Sequence, residues 1–248
     1  MKFKIEVCVD SLESAINAQN AGADRVELCD NLIEGGTTPG FGKIVSVRNN
    51  LSIELNVIIR PRGSDFLYTD QEFEIMKRDI MVCSEAGADG IVVGILLRDG
   101  YIDVERTSRL IESARPMKVT FHRAFDMCQY PGKGLEDIIS TGADRVLTSG
   151  QKRDAADGSE MIATLVKQAD NRIIVMPGGG INESNIASIA VSTGAKEFHL
   201  TCRKVMNSEM IYRKSGISMG GASGISEFSR KVADSEKIAN IINILNLI

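Results

Sequence analysis

The chain has no tryptophan, only two histidines and five prolines in 248 residues, and just 5% of it is aromatic. No apolar run reaches 18 residues, so no segment reads as a membrane span. An excess of positive charge is also missing. The 29 Lys and Arg stand against 33 Asp and Glu, and a net charge of −4 offers no basic field that would make nucleic acid an expected partner. There is no C-x-x-C pair, and five cysteines in a chain of this size do not form a disulfide scaffold. The opening MKFKIEVCVDS alternates like a strand and has no charged-then-apolar leader, so a cytoplasmic protein with free thiols is expected. What remains is an ordinary globular balance, 43% hydrophobic and 25% charged, with a small ligand as the expected partner.

One phrase returns four times: AGADRVEL from Ala21, AGADGIVV from Ala86, TGADRVLT from Thr141 and TGAKEFHL from Thr193. Each copy reads as a helix end, a Gly that can take the left-handed conformation, then a short β-rich run. The copies lie 65, 55 and 52 residues apart, a spacing that suits two βα units and so implies eight strands. Hydrophobic pattern places these at 3–9, 25–29, 53–60, 90–96, 117–123, 145–148, 172–176 and 197–201, with helices between them. Asp10 with Glu13, Thr69 with Glu72 and Asp157 with Glu160 read as capping boxes, and Asn182 reads as the N-cap of the seventh helix. Strict alternation predicts a single-domain (β/α)8 TIM barrel, with an open doubly wound sheet as the alternative. The repeat favours closure, because an open sheet has two special edges. A long loop over 202–228 and a last helix near 235–245 are expected to close the chain.

In a barrel the apolar parity of each strand faces the helices and the other parity faces in. Carrying that parity through the repeat stacks three inner layers on the even strands: Arg25, Gly90, Arg145 and Glu197; then Glu27, Val92, Leu147 and His199; then Cys29, Gly94, Ser149 and Thr201. The first layer has the chemistry of a structural ion-pair cluster. Odd strands add Glu6, Cys8, Asn56, Arg60, Thr120, His122 and Pro177. So many interior charges must be paired, wet or used. Both histidines fall on the inner parity near strand exits, where barrel active sites lie, so Glu6, Glu27, His122 and His199 are acid–base candidates. A satisfied polar core is the competing account. The turn Gly178, Gly179 and Gly180 can cradle a phosphate or carboxylate with help from Arg60, Arg123 and Ser149, although a tight turn needs the same glycines. Arg62, at the same strand exit as Arg60, is a further anion contact or a solvated loop charge.

VELC with EGGTTPG, IIRPRGSDFLY, VTFHRAFDM, RVLTSGQ, VMPGGGI and the late SGISMGGASGISEFSRKV together resemble the CutC family over nearly the whole chain. The resemblance implies a cytoplasmic copper homeostasis protein with a (β/α)8 barrel, a homodimer or larger. It also implies Cu(I) held by two cysteines, which match Cys8 and Cys29 here. Soft thiolates suit Cu(I), and neighbouring strands stand about 4.8 Å apart. Cysteine is equally a small buried hydrophobe. Two functions stay open: copper(I) binding through Cys8 and Cys29, or an enzyme acting on a small anionic metabolite by acid–base chemistry. A purely structural scaffold leaves the polar mouth without a purpose. No organic cofactor is indicated, and Lys118 lies too early on its strand for Schiff-base chemistry.

Overall fold

The computed structural model describes residues 3–217, 219 and 226–248. Eight parallel strands form the sheet: β1 (Lys4–Val9), β2 (Arg25–Leu28), β3 (Glu54–Ile58), β4 (Gly90–Val93), β5 (Lys118–Phe121), β6 (Arg145–Thr148), β7 (Ile174–Pro177) and β8 (Glu197–Leu200). They run in the order β7-β6-β5-β4-β3-β2-β1-β8, and a parallel bridge between Gly178 and His199 brings the two ends together. The result is the (β/α)8 barrel that the repeat predicts. Helices α1 (Leu12–Asn20), α2 (Phe41–Asn50), α3 (Asp70–Glu85), α4 (Val104–Ala114), α5 (Pro131–Ser140), α6 (Ser159–Ala169) and α7 (Ile186–Thr193) join successive strands on the outside. After β8 the chain forms β9 (Arg203–Asn207), antiparallel to β10 (Ser229–Ala233), and ends in α8 (Ser235–Asn246). The expected loop over 202–228 is therefore partly strand. Residues 218 and 220–225 of the SGISMGGASGISEFSRKV stretch lie outside the described residues.

The repeated phrase works as a joint. Its glycines Gly22, Gly87, Gly142 and Gly194 all have positive φ, between 70° and 92°, which turns the chain off each helix end at no steric cost. The Asp of the first three copies then reaches back to the strand before it. Asp24, Asp89 and Asp144 accept the backbone N–H of Ile5, Leu55 and Val119 at 2.8–2.9 Å, and their own N–H groups donate to the carbonyls of those residues. Each carboxylate thus pins the start of one strand to the start of the next.

Outward-facing Ile5, Val7, Val9, Val26 and Leu28 join the large apolar core between barrel and helices, while Cys8, Cys29, Ile58 and Val92 form a separate small cluster inside the barrel. On β7 the inner side chains differ from those expected. Met176 pairs in register with inward Leu147 and receives a contact from Arg25, so Met176 points in and Pro177 does not. The run IIVMP is apolar on both faces and gives parity nothing to sort. Caps shift as well. Thr69 and Glu72 form a complete capping box, but Ser11 rather than Asp10 caps α1, α6 starts at Gly158 without a side-chain cap, and α7 starts after Asn185. Asn182 instead accepts from Ser184 in a local turn.

Candidate functional site

The barrel floor is a buried ion network. Arg25, 1% exposed, donates from Nε to Glu6 and from Nη2 to Glu197 at 2.8 Å, and Arg145 Nε donates to the same Glu197 oxygen at 2.8 Å. Asn56 adds a 3.0 Å bond to Glu6 Oε2. A Cβ on Gly90 would overlap the Asn56 side chain, so the missing side chain on β4 lets Asn56 reach across. Mutual pairing of this kind offsets the large desolvation cost of interior charge.

Glu6 links this floor to the next layer. Its Oε2 is taken by Arg25 and Asn56, and its Oε1 meets His199 Nδ1 at 2.8 Å. His199 then turns Nε2 toward Glu27 Oε2 at 3.5 Å. Ligand atoms of Cys8, Glu27 and His199 all lie within 4.8 Å of one another, and Cys8 Sγ stands 3.6 Å from Cys29 Sγ. Both thiols are free. Neighbouring strands produce this meeting: β1 pairs Cys8 with Glu27 of β2, and Glu6 with His199 of β8.

The electrostatics of the cluster alternate. The Cys29 hydrogen bond brings the Cys8 thiol down to about 6, against burial and with help from His199. Burial and the neighbouring Cys8 push Cys29 well above its ordinary value. Burial, then Cys8, also raises Glu27 well above the carboxylate range. Burial works against ionisation of Glu6, yet Arg25 and His199 hold it well below that range. Burial likewise opposes charge on His199, but Cys8 and Glu6 lift it well above the usual imidazole value. Burial and mutual contact thus favour the charged forms of Glu6, Cys8 and His199 and the neutral forms of Cys29 and Glu27, and the set titrates as one unit.

Above the cluster opens a cavity of about 420 Å3. Cys8, Glu27, Arg60, His122, Arg123, Gly179, Gly180 and His199 line it, whereas Glu6, Cys29, Ser149 and Gly178 do not. Of the acid–base candidates, Glu27, His122 and His199 therefore meet at one cavity and Glu6 stands behind His199. His122 is fixed from two sides. Ala124 N–H donates to its Nδ1 at 3.1 Å, and a Cβ on Gly94 would overlap its ring. Because Nδ1 accepts, the proton of the neutral ring sits on Nε2. Burial, reinforced by the Arg60 charge, takes His122 down to about 3, so the ring is neutral.

The expected anion contacts divide. Arg60 lines the cavity and braces its wall through the carbonyls of Glu34, Gly36 and Ser64 at 2.7–2.8 Å. Arg123 spends Nε on Asp126 and Nη2 on Ser149, and Ser149 Oγ is also bonded to Asp126. Arg123 and Ser149 thus brace the loops, and of the two Arg123 lines the cavity. Arg62 is paired with Glu72 and Asp65. Gly178 packs where a Cβ would overlap Leu147, while Gly179 and Gly180, both at positive φ, shape the rim. Sequence reasoning missed Phe66 and Asp126, although both lie inside the distinctive motifs IIRPRGSDFLY and VTFHRAFDM. It also missed Arg203, a half-buried cation that no sequence pattern distinguishes from the other lysines and arginines.

Residues 3–204 match the CutC family model. The chain is 50% identical over 239 residues to a family protein CutC of Parabacteroides distasonis, covering 96% of this chain and 98% of that one. It is 48% identical over 239 residues to the copper homeostasis protein cutC homolog of Homo sapiens, covering 96% of this chain and 88% of that one. The crystal structure of a CutC protein from Streptococcus agalactiae superposes with a TM-score of 0.77 at 35% identity, over 80% of this chain and 98% of its own. On sequence and on fold, the chain belongs to the CutC family.

Proposed function

We propose that this protein binds copper(I) as cargo through Cys8 and Cys29, in the cytoplasm, where both thiols stay reduced. The supporting observation is the pair of free, inward thiols 3.6 Å apart on adjacent strands. The donor set fits a soft ion. Two thiols flanked by one imidazole and one carboxyl lack the many oxygens that Mg2+ or Ca2+ require. The Cys29 hydrogen bond lowers the Cys8 thiol to about 6, so Cu(I) displaces a proton more readily there than at Cys29, which burial and Cys8 hold in the neutral form. His199 is close enough to serve as a third donor once its Nε2 proton is lost, and Ile58, Val92 and Leu32 pack against the thiols. X-ray absorption on copper-loaded protein tests the reading. Sulfur should dominate the shell, with one sulfur lost in Cys29→Ser; a shell of nitrogen and oxygen alone rejects it.

The size of the cavity favours a second reading. Its volume far exceeds that of a single ion and falls in the range of small-molecule sites. Here a small anionic metabolite enters the mouth and Glu27, whose neutral carboxyl is favoured by burial beside His199, serves as the proton donor. Mass spectrometry of whatever co-purifies tests this, and recovery of copper with no organic molecule counts against it.

A further inference from the structure

We propose that the cavity holds a small monocarboxylate with an apolar body, its carboxylate placed between Arg60 and His122. Naming the ligand's class deepens the metabolite reading of the same cavity and is independent of copper.

Three arginines are buried in this barrel, and two of them have carboxylate partners. Arg25 has Glu6 and Glu197, and Arg145 has Glu197. Arg60 is the exception. It is 5% exposed, its partners are three main-chain carbonyls and the face of Phe66, and it makes no ion pair among the described residues. A guanidinium taken out of water without a counter-ion is costly, and none of the carboxylates that line the same cavity, Glu27, Glu34 and Asp126, pairs with Arg60.

His122 supplies the second, independent observation. It is also 5% exposed and lines the same cavity, and its Nε2 has no hydrogen-bond partner. A buried N–H left unsatisfied is a donor held ready for an acceptor. Phe66 puts the two groups on one wall, since its ring lies 5.1 Å from the Arg60 guanidinium carbon and 5.1 Å from the His122 ring.

The class follows from the count of charges and donors. On the wall that Phe66 joins, one buried cation and one neutral donor offset a single negative charge with two acceptor oxygens, which is a carboxylate, whereas a phosphate dianion asks for more. Leu32, Ile58, Met127 and Leu147 give the cavity an apolar stretch of wall for a hydrocarbon body, beside the polar stretch that carries Glu27, Glu34, Asp126 and Arg203.

The chain's two histidines make the test direct. In protein labelled with 15N-histidine, benzoate, hexanoate, benzamide and inorganic phosphate are titrated while both ring signals are followed by NMR. Benzoate or hexanoate should shift the His122 Nε2–H signal saturably, with benzamide weaker by about tenfold or more for want of the charge. His122→Phe should weaken binding by a similar factor, and the wild-type titration stands even if that variant folds poorly. Equal affinity for benzoate and benzamide overturns the proposal. A response to phosphate alone rejects the carboxylate class and leaves an anion site standing. No response to any of the four probes removes both the class and the anion reading.

Discussion

Acidification should destabilise this protein through His122, by an amount that a single substitution can isolate. The imidazole value falls from 6.5 to about 3 because the ring is buried, with the Arg60 charge adding to the effect. Between those values the unfolded chain takes up a proton that the folded chain refuses, so stability falls as pH falls. Every tenfold rise in proton concentration through this window costs about 1.4 kcal/mol, and at pH 5 the accumulated cost is about 2 kcal/mol relative to pH 7.5. Other groups also titrate in this window. Glu27, raised, works in the opposite direction, and Cys8, lowered, contributes above pH 6. Both remain in His122→Phe, so the difference between the two proteins isolates the histidine. That variant loses the Ala124 hydrogen bond at every pH, which shifts its stability by a constant. Urea denaturation at pH 5.0 and 7.5 should show wild type losing about 2 kcal/mol more than His122→Phe on acidification. An equal loss in both proteins would refute a neutral, buried His122.

Three further outcomes can be checked. Gly94→Ala would put a Cβ into the His122 ring and against Ala124, at a cost of about 1–3 kcal/mol of stability in urea denaturation; an unchanged midpoint contradicts this packing. Asp144→Ala removes the acceptor of the Val119 N–H at 2.9 Å and the partner of Lys118, and should cost about 1–2 kcal/mol by the same assay, whereas a neutral result would show that the joint does not need its carboxylate. Ultraviolet thiolate titration should place the Cys8 midpoint near 6, and Cys29→Ala should raise it because the Cys29 hydrogen bond is the largest lowering influence; an unmoved midpoint denies that influence.

The barrel was legible because its repeat is chemical as well as periodic. The Gly of each copy needs positive φ and the Asp of the first three needs a strand N–H, so both leave marks in the sequence. Inner parity was legible wherever polar and apolar residues alternate, which is how Arg25, Arg145 and Glu197 were brought together. It failed at β7, where both faces are apolar. The β9–β10 ladder was missed because Arg203–Asn207 is largely exposed and carries no clean alternation. At the site, residues on strands were placed well and residues on loops were not. Strand register fixes Cys8, Glu27 and His199 relative to one another. Whether Arg60 or Arg123 is free or bound depends on loop carbonyls and on Asp126, which come together only when the chain folds.

Copper(I) affinity decides whether Cys8 and Cys29 form one metal site. Wild type, Cys8→Ser and Cys29→Ser are titrated with Cu(I) against a competing chelator under reducing conditions. A shared thiol site predicts one tight ion in wild type. Each substitution should weaken it by more than the roughly hundredfold that loss of a supporting residue costs, since a ligand itself is removed. Equal affinity in all three proteins would contradict a copper site at Cys8 and Cys29.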